Sequence, residues 1–314
     1  MEANALGIGV ARSVPERSEA QRRNGAIAEP RKARPEAKRR GTPKYLKSQI
    51  ARIFVYVSAA VTLSLLLFML VYILVHGVPY LSPELFSLHY TSENCSVIPA
   101  LVNTLTITLI SLLIACPLGI GSAVYLVEYA RRGNRFVKLV RLTTETLTGI
   151  PSIIFGLFGM LLFAGFFRWG YSLLAGSCTV AIMILPTIMR TTEEALLAVP
   201  DSYREGSFGL GAGKLRTVFK IVLPTAVPGI LSGVILACGR VVGETAALIY
   251  TAGTVAQIPS SVFGSGRTLA IHMYVLSSEG LHTGQAFATA VVLLIAVILI
   301  NALASLLAKK IGTK

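Results

Sequence analysis

Six stretches of this chain carry no Asp, Glu, Lys or Arg: Ile53–Val75, Asn94–Val127, Thr146–Phe167, Trp169–Met189, Ile221–Gly239 and Ala286–Ala308. A helix crossing a hydrocarbon core of ~30 Å needs about 20 apolar residues. Within lipid, only a helix or a closed barrel satisfies its own backbone polar groups. The runs therefore predict an all-α membrane protein with six transmembrane helices. The second run, 34 residues long, has room for an entry segment as well as a span. Charged residues make up only 14% of the chain, against about 25% in an ordinary soluble domain.

The basic residues test that count, because Lys and Arg concentrate in cytoplasmic loops. Residues 1–52 hold 13 of the 29 Lys+Arg. Arg131, Arg132, Arg135, Lys138 and Arg141 follow the second span; Arg190, Arg204, Lys214, Arg216 and Lys220 follow the fourth; Lys309, Lys310 and Lys314 end the chain. The alternate segments hold only Arg168 and Arg267, and Arg240 falls in or near the fifth span. Both termini are expected in the cytoplasm of a multi-pass inner-membrane protein. The segment 1–52 lacks apolar periodicity and reads as a disordered basic tail. Its charge suits orientation and anionic lipid headgroups rather than nucleic acid, since no aromatic or binding motif accompanies it. No signal peptide is expected ahead of the first apolar run.

The spans are more than anchors. Pro117, Pro151, Pro186 and Pro228 interrupt apolar helices, so neighbouring protein must satisfy the backbone groups they release. Gly229, Gly233 and Ala237 recur every four residues along the fifth span, ahead of Gly239 and Gly243. Such a stripe lets helices approach closely. Arg190, Glu193 and Glu194 begin the loop after the fourth span. They suit a solvated helix end better than a conformational latch.

Between the fourth and fifth spans the chain reads Glu205-Gly206-Ser207, then Gly211, then Ile221-Val222-Leu223-Pro224. Tyr203–Leu210 is predicted to form a short helix that Gly211 ends at positive φ. Pro224 is expected in the first turn of the next helix, where its missing N–H costs little. The segment resembles the loop of ABC importer permeases, E-A-A-x3-G-x9-I-x-L-P, at Glu205, Gly211, Ile221, Leu223 and Pro224. Gly206 and Ser207 keep the two Ala positions small. The resemblance implies a type-1 permease fold over 95–308 and a coupling helix within 203–224. That helix would seat in an ATPase subunit and transmit its closure.

Catalytic signatures are not found. Gly213-Lys214 is followed by Leu215, and Phe208 stands where a P-loop needs Gly. The four His are scattered, and Cys95, Cys116, Cys178 and Cys238 are far apart with no metal-ligand spacing. The chain is expected to hold no metal or cofactor and to perform no catalysis, leaving ATP and Mg to a separate ATPase.

Four further runs narrow the resemblance: Leu113–Tyr129, Gly149–Gly159, Leu185–Pro200 and Gly239–Gly253, the last containing Gly243-Glu244-Thr245-Ala246. They are similar to permeases of the inorganic phosphate importer, in the PstA rather than the PstC branch. Ala247 departs from that family, which usually has Pro there. The resemblance implies a sister permease of PstC type, two ATPase subunits and an external phosphate-binding protein. Arg240 and Glu244, four apart, are expected on one helix face. They read either as a guanidinium offering phosphate a two-pronged hydrogen bond, with Glu244 orienting it, or as a structural ion pair. Along a continuous helix Arg240 would lie about 28 Å beyond Ile221, nearer the outer mouth than the midplane. Alternative functions are import of sulfate or molybdate, or a membrane sensor or scaffold that transports nothing.

Overall fold

The computed structural model describes residues 43–131 and 133–312, with side chains from 48 to 306. The chain divides into two units, 1–61 and 62–314. In the first, the described residues form the start of helix α1 (Pro43–Gly77). This helix begins ten residues ahead of the charge-free run, so residues 43–52 belong to it rather than to the expected tail. Residues 1–42 of that tail lie outside the described residues.

The described residues of the second unit form helices joined by loops, the longest running over 78–97 and 250–268. In chain order it continues with α2 (Ile98–Val124), α3 (Arg135–Thr148), α4 (Ser152–Gly159), α5 (Leu173–Leu197), α6 (Asp201–Gly209), α7 (Lys214–Thr217), α8 (Leu223–Val242), α9 (Ala246–Ile249), α10 (Leu269–Glu279) and α11 (Thr283–Gly312). Among the described residues, five continuous helices are long and apolar enough to span a membrane: Ser48–Tyr80, Ile98–Tyr129, Leu173–Leu197, Lys214–Val242 and Thr283–Leu306.

The sixth span is a bent pair. The third charge-free run, 146–167, is broken at Gly149–Pro151, and the axes of α3 and of Ser152–Phe166 differ by 104°. Proline disfavours helix at the residue before it, so α3 ends and a new helix starts with Pro151 at its N-cap. The second limb is 15 residues long, about 22 Å of α-helix, shorter than the hydrocarbon core.

At the centre stands α5. Its apolar residues Val180, Ile184 and Ile188 pack with Ile107 and Ala115 of α2, Ala237 and Val241 of α8, and Leu248 of α9. The small-residue stripe of α8 faces α5. A Cβ on Gly229 would come within 2.6 Å of the Ala195 Cβ, and one on Gly233 within 2.6 Å of the Thr191 Cβ. These contacts set a close antiparallel crossing. Toward the other end, Gly176 of α5 meets Leu248 and Ala252. The loop after α9 is stitched to the start of α5 through Ser172 N–H to the Thr251 carbonyl (2.9 Å) and Leu173 N–H to the Gly264 carbonyl (3.0 Å).

Candidate functional site

The loop between α5 and α8 folds as a short helix ended by a left-handed glycine. Helix α6 covers Asp201–Gly209, slightly ahead of the expected 203–210. Gly211 takes φ +80°, as expected. The Ala212 N–H bonds the Ser207 carbonyl (3.1 Å) and the Gly211 N–H bonds the Phe208 carbonyl (2.9 Å). This pair of bonds closes a helix end that a Cβ would strain.

The two small residues do not share a face. Ser207 turns inward and its Oγ lies 2.8 Å from the buried Thr217 Oγ1, tying α6 to α7. Gly206 has open space around it, and Glu205 is exposed. The outward surface is apolar: Tyr203 and Phe208 are about half exposed and Leu210 is 90% exposed. Sequence spacing had singled out Gly206 and Ser207 and passed over these three side chains, whose bulky apolar character in a polar loop was the available signal. Pro224 is the second residue of α8, in its first turn as expected. The π-turn Val218–Val222 leads into that turn without a break in the helical path from Lys214 to Val242, and its wider backbone helps to accommodate the proline. Ile221 closes toward the π-turn's end, and Leu223 is half-buried beside it.

Arg204, adjacent to the motif, was also missed. Its Nε and Nη2 donate to Glu128 Oε1 at 3.1 and 2.7 Å, and its Nη1 and Nη2 donate to the Val199 and Leu196 carbonyls at 2.8 and 3.0 Å. Nη1 also donates to Asp201 Oδ1 (3.1 Å). One mostly buried guanidinium thus joins α6, the end of α5 and the π-turn Tyr125–Tyr129 that extends α2. Nearby, Glu193 pairs with Arg141 of α3, while Arg190 and Glu194 form an exposed pair along α5 (3.1 Å).

The second feature is a break inside the bundle. Helix α8 stops at Val242, and Gly243-Glu244-Thr245 turns the chain into α9. The antiparallel pairing of Gly229 with Ala195 and Gly233 with Thr191 carries Arg240 to the level of Ile184, midway along α5. Gly239 accordingly lies beside Asn301 of α11. Arg240 is therefore deep in the bundle rather than near its mouth, because the first turns of Lys214–Val242 lie beside the α6 loop. It occupies the last turn of α8, where a cation complements the free carbonyls.

The expected Arg240–Glu244 pair is not made. Glu244 lies beyond the helix end, so the one-face geometry of four-residue spacing does not apply. Its Oε1 instead accepts the Ala247 N–H (3.0 Å) at the start of α9, and the side chain is buried. Among the described residues Arg240 makes no hydrogen bond or ion pair, and it is half-buried. Asn301 Oδ1, also buried near this break, has no hydrogen-bond partner. The carbonyl end of α8 favours a cation, so it is the free guanidinium in that last turn, and not the helix end, that can receive an anion.

Comparison with known proteins agrees with this arrangement. Residues 115–313 match the family described as binding-protein-dependent transport system inner membrane component. The probable ABC transporter permease protein YqgI of Bacillus subtilis is 34% identical over 71% of this chain and 81% of its own length. The phosphate transport system permease protein PstA 1 of Mycobacterium tuberculosis is 36% identical over 66% of this chain and 69% of its length. PstA of Haemophilus influenzae is 35% identical over 63% and 70%. Among solved structures, a bacterial alginate ABC transporter aligns with TM-score 0.63 at 16% identity, over 86% of this chain and 97% of its own. The inward-facing MetNI methionine transporter aligns at TM-score 0.56 and 23% identity, over 67% and 93%. These structural likenesses concern the fold. By the family match and its relatives, the chain is a membrane-embedded permease that belongs to the binding-protein-dependent ABC transport family.

Proposed function

We propose that this chain is a permease subunit that moves inorganic phosphate across the cytoplasmic membrane by alternating access. The observation that carries the reading is the unpaired Arg240 guanidinium, midway along the bundle at the end of α8. A guanidinium presents parallel N–H groups that match two oxygens of a tetrahedral oxyanion. The names of the PstA relatives support phosphate as the anion. Glu244, held by the Ala247 N–H, limits negative charge at the break to a carboxylate that is already engaged.

In this reading the α6 end faces the cytoplasm, with both termini, and the 250–268 loop faces outward. The exposed Tyr203, Phe208 and Leu210 seat in an ATPase subunit, with Glu205, Gly206 and Gly211 shaping the contact. ATP and Mg are bound there, and this chain performs no catalysis. Arg204 carries the movement of α6 to α2 and α5, while Ser207 and Thr217 carry it through the π-turn, Ile221, Leu223 and Pro224 into α8. Since Arg240 lies in the last turn of α8, one helix links the drive to the anion. A PstC-like sister permease, two ATPase subunits and an external phosphate-binding protein complete the assembly.

The test is phosphate uptake by the assembled complex with Arg240→Gln. Hydrogen bonds to a charged group contribute about 1.5–3 kcal/mol, so uptake should fall at least about tenfold while the complex still assembles. Arg240→Lys should lie between, keeping the charge without the fork. Unchanged uptake in Arg240→Gln would overturn the anion-path role.

A further inference from the structure

Arg267 is a second cation, remote from Arg240, at the end of the bundle opposite α6. It is only 4% exposed, yet its Nε and Nη2 have no hydrogen-bond partner. These two nitrogens form one edge of the guanidinium, the edge whose parallel N–H groups engage two oxygens of an oxyanion. Leaving a charged donor pair buried without hydrogen bonds costs several kcal/mol, of which an aromatic ring over the cation offsets about 2 kcal/mol, so the edge is incomplete without an acceptor. The backbone around it is firmly held. Arg267 N–H bonds the Val255 carbonyl (2.9 Å), and Asn103 Nδ2 of α2 bonds the carbonyls of Gln257 (2.9 Å) and Arg267 (3.2 Å).

One side chain touches both this cation and a neighbouring cavity. The Tyr90 ring lies 4.6 Å from the Arg267 guanidinium carbon. The same Tyr90, with His89, Pro99 and Gln257, lines a cavity of about 600 Å³. His272 stands edge-on to Tyr90 at 6.0 Å, with its Nε2 against the Cys95 carbonyl and its Nδ1 unpartnered. Burial, with Arg267 nearby, holds this imidazole neutral by lowering its pKa to about 3. The positive charge at this place is therefore carried by Arg267, and no carboxylate pairs with it among the described residues.

We propose that Arg267 is an entry site for phosphate, closed from the neighbouring cavity by Tyr90 and opened when that ring moves aside. This rests on the phosphate reading above and adds to it a first binding station, ahead of Arg240. The anion enters the cavity past His89 and Gln257 and meets the Nε–Nη2 edge when Tyr90 swings away. Tyr90 is a partition, and its removal lowers the cost of reaching the guanidinium.

The experiment measures binding of radiolabelled inorganic phosphate to the assembled permease–ATPase complex in lipid nanodiscs, without the binding protein. An Arg240→Gln background isolates the outer site. Phosphate should bind this complex, and Arg267→Gln should weaken binding at least about tenfold. Tyr90→Ala should tighten it at least threefold, Tyr90→Phe should leave it unchanged, and Tyr90→Ala with Arg267→Gln should match Arg267→Gln alone. Binding insensitive to Arg267→Gln, or no gain in Tyr90→Ala, would overturn the proposal, and the second arm holds even where Arg267→Gln misfolds. Loss of binding-protein capture with phosphate binding intact would also overturn it, by assigning Arg267 to a partner's carboxylate. Wild-type phosphate uptake, measured separately, tests the function itself: absent uptake with Arg267-dependent binding would sink that reading and leave this site standing.

Discussion

Glu244 and Ala247 show how a single backbone N–H can decide the state of a charged residue. In this chain the Ala247 N–H donates to the Glu244 carboxylate and draws it away from Arg240. The family's usual proline would have no hydrogen to donate. Ala247→Pro is compatible with the backbone of the first turn of α9. Once released, Glu244 can pair with Arg240 and compete with phosphate. Phosphate binding to the complex should weaken about fivefold, the effect of ~1 kcal/mol of ion pairing. Equilibrium binding in detergent or nanodiscs checks this, and tighter binding would contradict the assigned role of the Ala247 donor. Neither residue's state was legible in the sequence. Spacing placed Arg240 and Glu244 on one helical face, but Gly243 ends α8 between them, and only the position of that break reveals the separation.

At the scale of elements, the rigid unit is α6 with its supports. The Arg204–Glu128 pair is mostly buried and is reinforced by the Leu196 and Val199 carbonyls. Removing one member of such a pair costs about 3–5 kcal/mol locally, because the other charge remains buried. Arg204→Gln or Glu128→Gln should therefore loosen α6 from α2 while its outward face, Tyr203, Phe208 and Leu210, remains intact. The expected phenotype is an assembled complex whose ATP hydrolysis is no longer stimulated by the phosphate-loaded binding protein. ATPase assays alongside subunit co-purification read both halves; normal stimulation in either variant would show that the clamp is not part of the drive. The loop motif made this element visible in advance, including the left-handed Gly211. It did not show which side chains face inward, since Ser207 and Gly206 are equally small and only the fold puts Thr217 beside one of them. The third span shows the same limit. Composition marked 146–167 as one apolar run, whereas Pro151 divides it between two helices at a steep angle.

For the whole molecule, the bundle separates the α6 end, a central break and a cap at the opposite end around Tyr90, Arg267 and His272. Hydropathy and the distribution of Lys and Arg revealed the spans, because those signals follow from the bilayer itself. The cap was not legible: Arg267 appeared only as an isolated basic residue in a long loop, and its burial depends on contacts with residues 90 and 103, far away in sequence. This cap has a pH signature. His272 is neutral in the fold with its pKa lowered to about 3, whereas unfolding returns it toward 6.5. The stability it contributes is fully present above about pH 6.5 and is lost as pH falls toward 3, by at most about 1.4 kcal/mol per unit. The apparent Tm of the wild type should thus fall more steeply between pH 7 and 4.5 than that of His272→Gln. Parallel slopes would contradict the assignment. The central claim is that α8 joins the ATP-driven helix α6 to an anion site at Arg240. Its most direct test is ATP-dependent uptake of radiolabelled phosphate into proteoliposomes holding the complete complex and loaded binding protein. The account predicts uptake by the wild type, with a loss of at least about tenfold in Arg240→Gln while its ATPase subunits remain bound. No ATP-dependent phosphate uptake by the wild type, or equal uptake by the two, would contradict it.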